Sequence, residues 1–186
     1  MPVEKTYQVY YGINLQDFSD IWGGRTYKTL LVKEFPSEYL TSYDTSSATD
    51  TRFEYPSLWK NKYYIDGTVE GWVSFMNTHA STTYKISSFG VELIKTANIP
   101  SNETILGSYS YTFSTPTDIV AQDTLTVPIF VNIEKKLVEE DERLLLRVYM
   151  YNNSATSASV GSVFIACYNS SSPVDMQIKI PYAYSG

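Results

Sequence analysis

Reactive chemistry has few places to start in this sequence. It holds one histidine, His79, one cysteine, Cys167, and one dense acidic run, Glu139-Glu140-Asp141-Glu142. An imidazole titrates near neutral pH and can act as general base or metal ligand. His79, however, stands in Asn77-Thr78-His79-Ala80, a polar stretch that reads as a solvated hairpin turn. A thiol becomes a nucleophile when its pKa is lowered in a partly exposed setting. Cys167 follows Phe164-Ile165-Ala166 and reads instead as a small buried hydrophobe. A lone cysteine also excludes an intrachain disulfide and a cysteine-built zinc site. The acidic run could hold a hard cation through its oxygens, but it lacks the ligand spacing of a calcium loop. It reads as a charged turn that discourages edge pairing. Asp44, Asp50 and Asp66 are too scattered to form a site, and a chance pair among 20 acids is no evidence for a glycosidase. The expectation is a protein with no catalytic, cofactor-binding or metal residues, and so not an enzyme.

Charge narrows the partners. The 186 residues carry 20 acids against 14 bases, a formal charge of -6. Nucleic-acid binding draws its affinity from clustered Lys and Arg that neutralise phosphates. Lys60 with Lys62, and Lys135 with Lys136, are pairs and not patches. No direct nucleic-acid contact is expected. The longest apolar run, Val163-Phe164-Ile165-Ala166-Cys167, is strand-sized and far short of the roughly 18 residues a membrane helix needs. No membrane partner is expected either. Met1-Pro2-Val3-Glu4-Lys5 lacks the basic-then-apolar pattern of a secretory signal. Three sequons, at Asn102, Asn152 and Asn169, fall in stretches read as turns.

The elements that would position any site are strands. Apolar and polar residues alternate, with β-branched and aromatic types in the apolar slots. Strands are expected at Tyr7–Tyr11, 26–33, 62–65, 68–76, 82–88, 91–96, 105–114, 124–133, 143–151, 160–168 and 176–180. Asp66-Gly67 reads as a turn pair, and Gly71 as a bulge. Glu134 to Leu137 has helical propensity. Its neighbours are strand-like on both sides, which favours two strands joined by a turn at Glu139 to Asp141. Pro128 inside a strand implies an edge or a bulge. The predicted fold is all-β: an antiparallel β-sandwich of jelly-roll or Greek-key type with an N-terminal arm and long loop. Residues 1–59 would form the arm and loop, and residues 60–186 the sandwich.

The 17 tyrosines are the unusual feature. Aromatics suit strands, and they also give rigid contact area at interfaces. The loop Glu34 to Ser57 has lost its periodicity, yet it and its flank carry Phe35, Tyr39, Tyr43, Phe53, Tyr55 and Trp59. These six are the candidate interface residues, because long loops in compact domains are often functional.

Val91-Glu92-Leu93-Ile94-Lys95, the strands at Ile105–Phe113 and Leu125–Val131, the acidic turn before Arg143-Leu144-Leu145-Leu146-Arg147-Val148, and the closing Ile178-Lys179-Ile180-Pro181-Tyr182 together carry a resemblance. The pattern is similar to the sandwich-type virion proteins of tailed phages and related viruses: capsid decoration or cement proteins and minor capsid proteins. That resemblance covers about the C-terminal two thirds. It implies a non-enzymatic virion structural protein that self-associates as a homo-oligomer and docks on other capsid subunits at the particle surface. It carries no individual site residue and no cofactor. An alternative is a carbohydrate-binding or receptor-binding module using Trp22, Trp59 and Trp72, and a second is a cell surface-layer or pilus subunit.

Overall fold

The computed structural model describes residues 5–14, 29–32, 45–46, 50–55, 61–77, 79–97, 102–152, 163–166 and 176–183. They form eleven strands: β1 (Lys5–Asn14), β2 (Thr29–Val32), β3 (Thr45–Ser46), β4 (Asp50–Glu54), β5 (Tyr63–Asn77), β6 (Tyr84–Thr96), β7 (Thr104–Ile119), β8 (Thr124–Val138), β9 (Arg143–Asn152), β10 (Val163–Ala166) and β11 (Met176–Ala183). The architecture is the antiparallel β-sandwich that the alternation predicts.

Strand β5 is the axis of the first layer. One of its edges pairs with β8, from Tyr63↔Val138 to Met76↔Thr124. Its other edge is shared between β10 near Asn77 and β11 over the rest. Beyond them, β3 joins β10, β1 joins β11, and β2 joins β1. The second layer runs β7-β6-β9-β4. A single parallel pairing, Leu30↔Glu54, ties β2 to β4 and so one layer to the other. On the opposite side, among the described residues, β7 pairs only with β6 and β8 only with β5. The result is one hydrogen-bonded ribbon folded over, with one side closed and one side an open seam. The chain changes layer between β5 and β6, between β7 and β8 and again between β8 and β9, as jelly-roll and Greek-key folds do.

Period-two alternation builds the core. On β8 it turns Val127, Ile129, Val131 and Ile133 inward and leaves Pro128, Phe130 and Asn132 exposed. Val69, Val73 and Phe75 of β5 meet Val91 and Leu93 of β6 and Leu146 and Val148 of β9 in one cluster. Burying each such side chain is worth about 1.5–3 kcal/mol. Glu54 is buried as well, and Arg143 ion-pairs with it.

Several local expectations change on long-range pairing. Asp66-Gly67 is no turn: β5 runs straight through it, and the register with β8 slips there between Ile65 and Gly67. The bulge expected at Gly71 therefore lies about five residues earlier, while Gly71 itself stays in register with Ile129 and Ile178. The stretch Glu34 to Ser57 is not irregular throughout, because it contains β3 and β4. The acidic turn is as predicted: β8 ends at Val138, Asp141 adopts a φ of 65°, and Glu142 N donates to Glu139 O. Pro128 does lie on an edge strand.

Candidate functional site

The outer face of the first layer carries a hollow of about 280 Å³. Its walls follow from strand register. Trp72 stands between Gln177 on β11 and Pro128 on β8, and the next outward row aligns Val9, Lys179, Glu70 and Phe130. Paired residues in an antiparallel ladder point to the same face, so this row of side chains is set by the backbone. Gly71 forms the floor. A Cβ there would lie 1.9 Å from the Gln177 carbonyl oxygen, so only glycine allows β11 to approach so closely. Lys179 Nζ lies 3.3 Å from Glu70 Oε1 and 4.5 Å from the centre of the Tyr7 ring. The Trp72 Nε1–H is buried and finds no acceptor within the fold. A buried donor without a partner costs about 1–3 kcal/mol. The hollow therefore offers an apolar wall, one unanswered donor and an ion pair at the rim, an arrangement suited to a carbonyl compound with an apolar body.

A second hollow, of about 270 Å³, opens at the seam between β7 and β8. Phe89 on β6 pairs with Tyr111 on β7, which puts Tyr109, Tyr111 and Phe113 on the same side as Phe89. The rings of these three lie 6.0–6.1 Å from Phe89, and Tyr111 meets Phe113 edge-on at 5.0 Å. Val127 and Pro128 of β8 complete the lining. Tyr109 also meets Phe130 edge-on at 6.3 Å, so only β8 separates the two hollows.

The residues singled out from sequence do other work. His79 is a half-buried clasp in its turn, its Nδ1 accepting from Ser81 N and Thr82 N while its own N–H donates to Asn77 Oδ1. Buried Asn77 in turn donates to the carbonyls of Thr82 and Ile119, tying the β5–β6 turn to the end of β7. The solvated reading of His79 missed this clasp, because the acceptors come from backbone that sequence does not locate. In the acidic run, Glu142 Oε2 accepts from Lys95 Nζ and from Glu139 N, and Glu139 pairs with Lys62. The Glu139 hydrogen bond and charge raise the Lys62 pKa above its ordinary 10.5. The pair's contribution is thus complete below that value and is lost as pH rises through the raised one.

Of the six interface candidates, Phe53 is fully buried between the layers, and Tyr55 packs edge-on against the Tyr10 ring at 5.8 Å. Phe35, Tyr39, Tyr43 and Trp59 lie outside the described residues, as do Cys167, Trp22 and the sequon at Asn169. Trp72 is the one sequence candidate that lines a hollow. Glu70, Lys179, Phe130, Tyr109 and Tyr111 were not singled out. The signal for Phe130 and Tyr111 was legible: large aromatics in the outward or edge slots of an alternating strand.

No protein family and no curated protein matches the sequence. Solved structures do match in fold. A CocE/NonD family hydrolase from Staphylococcus aureus superposes with a TM-score of 0.60 at 12% identity, over 96% of this chain and 37% of its own. An aminopeptidase from a marine-sediment Thaumarchaeota archaeon gives 0.52 at 11% identity, over 98% of this chain and 34% of its own. An alpha-amino acid ester hydrolase gives 0.50 at 13% identity, over 73% and 26% respectively. The chain thus spans about a third of the length of these proteins or less. These neighbours are hydrolytic enzymes. They overturn the expectation of a non-enzymatic virion structural protein, a decoration, cement or minor capsid protein of a phage. The alternation behind that expectation specifies a sandwich and is silent on what the sandwich is used for.

Proposed function

We propose that the chain serves hydrolysis, as the β-sandwich portion of a hydrolase acting on esters or amides, with the Trp72 hollow as the place where the acyl ligand is held. The observation that carries the reading is the shared fold: three structures with hydrolytic titles match over 73–98% of this chain. The hollow supplies a ligand class consistent with it. An ester or amide brings a carbonyl oxygen for the Trp72 N–H and an apolar body for Val9 and Phe130.

The test is calorimetric titration of the chain with a panel of amino-acid esters and N-acyl amino-acid amides, with free-acid release measured in parallel. At least one compound is expected to bind. Trp72→Phe keeps the apolar wall and removes the donor, and is expected to weaken binding about tenfold, the worth of one buried hydrogen bond. A panel in which nothing binds and nothing is turned over overturns the proposal.

A further inference from the structure

The seam pocket has a chemical character distinct from that of the Trp72 hollow. Four aromatic rings surround it, with Phe89 nearly buried and Tyr111 46% exposed at the rim. The tilts of 37–57° against Phe89, and of 81° between Tyr111 and Phe113, prevent the rings from closing into a stack. The hollow is thereby bordered by π-systems on several sides. Each ring face is the negative pole of a quadrupole and attracts a cation placed over it.

This protein already uses that attraction on its surface. Lys135 sits 4.3 Å from the centre of Tyr64, Arg147 4.9 Å from Tyr149, and Lys179 4.5 Å from Tyr7. The seam rings take no such partner from the described residues, and no described charged side chain lines the pocket. Its volume of about 270 Å³ exceeds the roughly 150 Å³ of an engineered apolar cavity that admits benzene, so a tetrahedral ammonium head fits. The chain's formal charge of -6 adds a long-range pull on a cation and none on a neutral molecule.

We propose that the seam pocket formed by Phe89, Tyr109, Tyr111 and Phe113 is an aromatic cage that binds an organic ammonium cation, with alkylated nitrogen as the group enclosed. The rings supply the attraction, and Val127 and Pro128 exclude water from the far side. The proposal is independent of the role given to the Trp72 hollow.

The experiment is titration of the full chain with choline and with its uncharged isostere 3,3-dimethyl-1-butanol, followed by calorimetry or by NMR of the aromatic protons. Choline is expected to bind at least about fivefold more tightly than the isostere, the lower range of a partly desolvated cation–π contact. Tyr111→Leu, at an exposed rim position, should leave the fold intact and weaken choline by about 3- to 30-fold, whereas Tyr111→Phe should keep most of the affinity. Equal binding of the two ligands would make the pocket merely apolar and would overturn the proposal. So would the absence of choline binding in the tens of millimolar, or choline binding that Tyr111→Leu leaves unchanged.

Discussion

The two hollows are neighbours across β8, yet they arise by opposite means. The Trp72 hollow is made by strands that come unusually close. β11 presses onto β5 at a position where no side chain fits, and the outward residues of four paired strands stand around the dent. The seam pocket is made by strands that do not meet, since β7 and β8 each leave an edge without a ladder and aromatics fill the gap. A hollow of the first kind is fixed by backbone, and its side chains can be exchanged with little effect on the fold. A hollow of the second kind is fixed by its side chains, some of which also belong to the core.

That contrast can be broken, and the largest effect is expected at Phe89. It is both cage floor and core, so Phe89→Ala should cost about 3–5 kcal/mol in urea denaturation. A loss below about 1 kcal/mol would mean that the seam aromatics are an appendage to the core. Gly71→Ala comes next. The new methyl must displace the Gln177 carbonyl, at a cost of about 1–3 kcal/mol, and ligand binding at Trp72 should fall with it. If stability is unchanged, β11 is not held as closely as described. The smallest effect is expected at Lys179. Its pair with Glu70 has both partners more than two-fifths exposed, so Lys179→Ala should cost under about 1 kcal/mol and fade with added salt. A larger, salt-insensitive loss would show that the rim of the first hollow, too, is held by side chains.

Much of the fold was legible, because a sandwich writes its burial into alternate positions. Val127-Pro128-Ile129-Phe130-Val131 announces an inward row, an edge and an outward aromatic at once. The split between β8 and β9 was readable from the acids between two strand-like runs. What stayed hidden depends on partners distant in sequence. Asp66-Gly67 is turn chemistry by composition, and only continuous pairing with β8 and β11 keeps the chain extended through it. Phe53 looked like a loop aromatic because β4 is short, and its place between the layers is settled by pairing with β9 about ninety residues away. The Trp72 hollow was half legible: the tryptophan stood out, but the glycine that makes room beside it was read as a bulge. The seam pocket left no mark in local pattern, since a gap between β7 and β8 is a statement about two edges.

The single Leu30↔Glu54 pairing between the layers has a mechanical consequence. A ribbon folded on one narrow crease behaves like a bound book, with its spine at β2 and β4 and its fore-edge at β7 and β8. Glu54 and Arg143 stiffen the spine from within. Any breathing of the covers is then greatest where the four rings stand. A guest enters between the pages at the fore-edge, and once seated it holds the two covers together where the backbone does not.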